Sequence, residues 1–323
     1  MLQAVRDHGE PFVPSLAVTS GLLLAILSLA VLVYFIHHVA LSIQATTLLH
    51  TVAGEAAATV SRLFPEAIGT PATLGSSSSP DADTEVPWPG PPAGAPLDVG
   101  ARTDGYVQIV DGDSLLTLGQ EFDLLIDLRC RPGEYLQKGE TLCRVWPASR
   151  ADAHADELAR TIVLGQRRTL LQDASFAVEQ FVEVAVRALS PGINDPFTAL
   201  ACVDHLGATL RQVAGRRVPS AVRADENGAA RVRANPVSFP ELAHVAFDEI
   251  RRAASGHALI LGRMLEVCTR LAPALTRQRD VAVLRDIAEA IHHEIERFDS
   301  AADRHYLVQA YDACRRALEH HNP

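Results

Sequence analysis

Between Pro11 and Gly54 there is no Asp, Glu, Lys or Arg, and the core of this stretch, Phe12 to Ile36, has only Ser15, Thr19, Ser20 and Ser28 as polar interruptions. A bilayer's hydrocarbon core, about 30 Å thick, takes about 20 apolar residues in helical form, so the segment predicts one transmembrane helix with the lipid bilayer as its partner. A cleaved signal peptide is the competing reading, but its apolar region would be shorter and would end in a small-residue cleavage site that this sequence lacks. From His37 the helical pattern continues through Leu41, Leu48, Val52, Ala56, Val60 and Leu63, which predicts a stalk or an interfacial helix. His37 and His38 fall at the membrane boundary as interfacial anchors, with a proton relay as the sharper alternative. Orientation is barely encoded, because Arg6 lies on one side and the next arginine is Arg62.

After the span the chain is polar enough for water. Its 323 residues include 48% hydrophobic side chains, sufficient for a true core. The net charge of −10 and the scattered arginines argue against nucleic acid as a partner. The five cysteines, Cys130, Cys143, Cys202, Cys268 and Cys314, include no Cys-x-x-Cys pair and read as buried free thiols, which suits a reducing compartment. No metal site is implied. The doublets His292-His293 and His320-His321 project about 100° apart on a helix and suit solvent better than one ion.

Composition divides the chain into a span and stalk over 1–64, a Pro/Ser/Gly-rich flexible linker over 65–98, a small β module over 99–147 and an α-helical domain over 148–323. Apolar residues alternate in Gly105–Val110 and Glu140–Val145, which predicts strands. The turn Arg131-Pro132-Gly133 through Lys138-Gly139 resembles biotinyl and lipoyl barrel-sandwich modules, although the sole lysine, Lys138, lies inside the turn and not at a hairpin tip, which argues against a swinging-arm carrier. Beyond Pro147, helical periodicity covers 152–189, 196–213, 240–271, 279–298 and 301–318 and predicts a five-helix bundle. Asp195-Pro196 and Ser300 with Asp303 supply start signals. Residues 221–232, centred on Asn227-Gly228, read as a short hairpin or equally as a loop. The predicted class is thus mainly α with a small β unit.

The run Arg168-Thr169, Gln172-Asp173, Phe176, Gln180 and Ala188-Leu189-Ser190-Pro191-Gly192-Ile193-Asn194-Asp195-Pro196-Phe197-Thr198-Ala199 resembles the bacterial predicted membrane protein family called domain of unknown function 2254. Gly105-Tyr106-Val107, Phe35-Ile36-His37-His38 and Ser42-Ile43-Gln44 fit the same pattern in the same order, so the resemblance covers nearly the whole chain. It implies further spanning helices upstream of the one seen here, a bacterial inner membrane location and a cytoplasmic body, and it implies no activity.

Within that run the helix looks apolar on most faces, leaving a polar stripe of Thr169, Asp173, Gln180, Glu183 and Arg187 spaced by three, four or seven residues. Burial of such groups demands partners, and Glu183 with Arg187 is the obvious pair. Ser190, Asn194 and Thr198 are left over at the proline-rich corner, where helix N-terminal amides can hold an anion. Asp173, Gln180, Glu183, Arg187, Ser190, Asn194 and Thr198 are therefore the candidate ligand-binding set, for a small ligand or ion, against a bland reading of salt bridges and a rigid corner. No nucleophile elbow, phosphate loop, His-Glu-x-x-His or Gly-x-Gly-x-x-Gly occurs, and no catalytic residue or cofactor is indicated. The expected role is non-enzymatic sensing, scaffolding or transport regulation, with homo-oligomers admitted. The alternatives are a membrane-tethered enzyme using Asp173, Glu183, Arg187 and Asn194, and an export-pump adaptor.

Overall fold

The computed structural model describes residues 6–7, 10–11, 15–42, 54, 58–59, 88–90, 94–214, 216 and 220–321. The chain divides into residues 1–48 and residues 49–323. The first unit is dominated by α1 (Ser15–Ser42). At about 1.5 Å per residue, its 28 residues reach roughly 42 Å, longer than a hydrocarbon core. Val18–Phe35 has a mean hydropathy of 2.3 and is long and apolar enough to cross a membrane. A helix apolar on all sides needs an apolar surrounding. The side chains of His37 and His38, most of the expected stalk and most of the expected linker lie outside the described residues.

The second unit is mostly helical with two small sheets. One sheet has the order β1 (Leu97–Gly100), β5 (Thr141–Trp146), β3 (Leu125–Leu128), β8 (Ala230–Arg233) and β7 (Val222–Ala224). All its neighbours run antiparallel except β3 and β8, which pair in parallel with Val232 opposite Ile126. In the other, β2 (Gly105–Val110) lies between β4 (Tyr135–Leu136) and β6 (Ile162–Gly165). The expected strands over 105–110 and 140–145 are thus present, the second displaced by one residue. Helix α2 (Gly112–Glu121) follows β2, started by Asp111, whose carboxylate accepts from Ser114 N at 3.0 Å. Leu115, Leu124, Ile126 and Leu142 are fully buried in the core between these elements.

Two short helices, α3 (Ala148–Ala151) and α4 (Ala155–Arg160), precede β6. The remaining helices are α5 (Ala174–Ala188), α6 (Pro196–Ala214), α7 (Phe239–Ala253), α8 (Ala258–Leu271), α9 (Gln278–His292) and α10 (Ala301–His320). They share one core in which Phe181, Phe239 and Phe247 have no exposed surface. Burial of each such side chain stabilises by about 1.5–3 kcal/mol. Ser238 starts α7 through a reciprocal capping box with Glu241, and Ser300 starts α10 by accepting from Asp303 N at 3.3 Å.

Three expectations change. Residues 152–189 are not one helix, because Ile162–Gly165 pairs with β2 and the chain turns before α5 begins at Ala174. A four-residue apolar run fits either period, and only its distant partner strand resolves the ambiguity. The helix expected over 240–271 is split by Gly256 at φ +85°, a left-handed conformation that glycine tolerates. The helix expected over 279–298 ends at His292 and is followed by a 3₁₀ turn, Ile295–Arg297. At 221–232, where hairpin and loop stood open, a hairpin forms around Gly228 at φ +80° and joins the larger sheet.

Candidate functional site

Asp173 is not inside a helix but at the N-cap of α5, where Oδ1 accepts from Phe176 N at 2.9 Å. Short polar side chains favour this place because they satisfy backbone donors that the first turn cannot. The carboxylate is 2% exposed and takes the Arg168 guanidinium at 2.8 Å. Arg168 also pairs with Glu179 and lies over the Phe176 ring, 4.8 Å from its centroid. One guanidinium thereby joins two carboxylates and an aromatic face across the loop that leads into α5.

The β turn read from Arg131-Pro132-Gly133 closes onto this group. Gly133 has φ +94°, and a Cβ placed on it would sit 2.1 Å from Asp173 Oδ2 and 3.1 Å from the Arg168 guanidinium. The backbone lies directly on the carboxylate, so both conformation and space require glycine. Beside it, Arg131 reaches Glu241 of the α7 capping box at 3.1 Å. Burial opposes the Glu241 charge, but hydrogen bonds from Ser238 and Arg131 outweigh it and hold the carboxyl below its ordinary pKa. Gln172 adds a third tie: its amide oxygen accepts from Val110 N at 2.8 Å and its amide nitrogen donates to Val110 O at 3.2 Å, as a neighbouring strand would. Gln108 donates to Arg167 O at 2.6 Å. The segment 167–179 is a joint between the smaller sheet and the helical core.

The rest of the expected stripe does not share that environment. Its spacing presupposed a helix running from Thr169 to Arg187, whereas α5 starts at Ala174, so Thr169 and Asp173 belong to the joint. The core face of α5 is Ala174, Ala177, Val178, Phe181, Val182, Ala185 and Ala188. Glu183 and Arg187 lie outside it with side chains 69% and 67% exposed, paired at 2.6 Å. They were expected in the interior; in water such a pair contributes only about 0.3–0.5 kcal/mol. Thr169 Oγ1 and Gln180 Oε1 are enclosed and have no hydrogen-bond partner among the described residues.

At the corner between α5 and α6, Ser190 Oγ donates to Arg187 O at 2.7 Å, Asn194 N to Ser190 O at 2.9 Å and Asp195 N to Ala188 O at 2.8 Å. Asn194 is exposed at φ +48°, a left-handed conformation that asparagine adopts more readily than most residues. Asp195 accepts from Thr198 Oγ1 at 2.5 Å and from Thr198 N at 3.1 Å, and these bonds hold its carboxyl below the ordinary value. A folded-state pKa below the unfolded one gives stability that is present above about pH 4 and is lost as pH falls through the folded value. Asp195→Ala should therefore cost about 1 kcal/mol near neutrality. The gap to wild type should close in acid, as thermal melting of the full chain in detergent would read; a gap unchanged at low pH would refute the charged cap.

The seven candidate residues thus fall at three places: Asp173 in the joint, Gln180, Glu183 and Arg187 along α5, and Ser190, Asn194 and Thr198 at the corner. Sequence reasoning missed Gly133, Glu179 and Gln108 as joint residues; the only advance signal was the turn glycine itself. A shallow depression of about 290 Å³ between α6 and α8 is lined by Asp204, Gly207, Ala208, Arg211, Val267, Arg270 and Leu271, and by none of the seven. Among the described residues no group of three or more His, Cys, Asp and Glu is placed to hold a metal ion. All five cysteines are free and buried, and burial raises Cys130, Cys143 and Cys202 to about 12, where the nucleophilic thiolate is scarce.

A family model described as Predicted membrane protein (DUF2254) matches residues 1–270. Uncharacterized proteins of Mycobacterium bovis and of two Mycobacterium tuberculosis strains, H37Rv and CDC 1551, are each 33% identical over 317 residues, 96% of this chain. The chain spans 58% of the length of these curated relatives. No solved structure matches it.

Proposed function

We propose, from the premise that the chain belongs to the DUF2254 family of predicted membrane proteins, that it is a membrane-anchored scaffold without catalytic activity of its own. In this reading α1 crosses the bacterial inner membrane, the body lies in the cytoplasm as a barrel-sandwich-like β module joined to a helical bundle, and the body transmits or regulates through its shape. The observation that carries it is the joint: Arg168, Asp173, Glu179 and Gly133 engage one another, leaving the most buried candidate, Asp173, committed to architecture. The exposed Glu183–Arg187 pair lacks the enclosure that an acid–base pair gains from low dielectric. The five buried free thiols support the cytoplasmic placement.

The test is native mass spectrometry of the full chain in detergent, beside its Asn194→Ala and Arg187→Ala variants. A scaffold carries no retained small molecule that depends on either side chain. A retained metabolite lost in both variants, with melting temperature unchanged, would replace the scaffold with a ligand site at the corner.

A further inference from the structure

The corner between α5 and α6 displays two large apolar side chains that its local geometry does not require. Phe197 is 76% exposed and Ile193 55%. Phe197 is more exposed than any other large apolar side chain whose exposure is described, the next being Tyr34 at 67%. Pro191, Pro196 and the bonds to Ser190 O and Ala188 O hold both in a rigid frame. Ordering them for contact therefore costs little entropy.

One ion pair beside them is balanced, Glu183 with Arg187, while the Asp195 carboxylate between Ile193 and Phe197 keeps its charge and accepts from Thr198. Two side chains fall far short of the roughly 800 Å² per partner that a stable protein interface buries. A weak contact is nonetheless sufficient when a tether already supplies a high local concentration, as a spanning α1 would. We infer that Ile193 and Phe197 form an apolar tip that inserts into the acyl boundary of the bilayer and so fixes the orientation of the tethered body. The inference rests on the membrane-anchored reading. The tip uses apolar contact alone, and a chain of net charge −10 gains nothing from anionic lipid, so zwitterionic phosphatidylcholine is the appropriate surface.

The full chain, reconstituted in nanodiscs of phosphatidylcholine or of its acyl-brominated analogue, tests this through Phe197→Trp. Tyr34→Trp is the control for the span, and emission of the native Trp88 and Trp146 is subtracted using wild type. Insertion predicts that the Phe197→Trp emission is blue-shifted, is lost in brominated lipid and resists aqueous iodide. Iodide quenching of Phe197→Trp without bromine quenching, while Tyr34→Trp is quenched by bromine, overturns the tip and leaves the anchor standing. Shielding from both quenchers means that protein covers the corner, which also overturns it. If Tyr34→Trp ignores the bromines as well, the anchored reading fails together with the tip.

Discussion

Gly133→Ala should destabilise the full chain by about 4 kcal/mol, since a non-glycine residue held at φ +94° costs about 1–3 kcal/mol and displacement of a buried paired carboxylate costs about 3 more. In a body of this size that is roughly a 10 °C fall in melting temperature. Gly139 is an internal control: it has nearly the same φ, +92°, but nothing lies within 4 Å of where its Cβ would go. Gly139→Ala should therefore show only the conformational part, about 1–3 kcal/mol. Thermal melting of both variants in one detergent isolates the approach to Asp173 by difference. Equal losses would mean that the Gly133 contact contributes nothing.

Arg168→Ala is the second large effect. It strands a carboxylate that is 2% exposed and leaves Glu179 without its cation, so a loss of about 3 kcal/mol is expected. Lysine should not rescue it, because the planar fork that reaches Asp173 and Glu179 while stacking on Phe176 has no equivalent in an ammonium group. Asp173→Asn keeps the cap and removes the charge, so with arginine intact it should cost less. The double variant Arg168→Met with Asp173→Asn should then lose less than the sum of its parts, with a coupling of about 1–3 kcal/mol. Additive single losses would show that the ion pair is incidental and that the N-cap alone holds α5 in place.

How much of this was visible in advance depended on how far apart the cooperating residues lie. The corner was legible: Asp195 before Pro196 and Thr198 specify a cap through contacts three residues long. The joint was only half legible. Arg168, Gln172 and Phe176 stood out only through the family resemblance, and Asp173 was placed in an imagined helical stripe, because the periodicity continued through an apolar run that the smaller sheet claims as β6. Glu183 and Arg187 were placed in the interior for the same reason; once α5 begins at Ala174, its alanine-rich face turns inward and those two charges turn to water.

The amino-acid order alone determined the features whose free energy is set within a turn or by solvent: the apolar helix, the caps of α6 and α10, the glycine turn over 131–139 and the buried state of the thiols. Tertiary structure alone decided which strand Ile162–Gly165 would join, that β8 of the 222–233 hairpin would pair in parallel with β3, and that Gly133 would meet Asp173 some forty residues along the chain. Those outcomes depend on loop closure and on pairing between distant segments, where one alternative differs from another by contacts that no local spacing records.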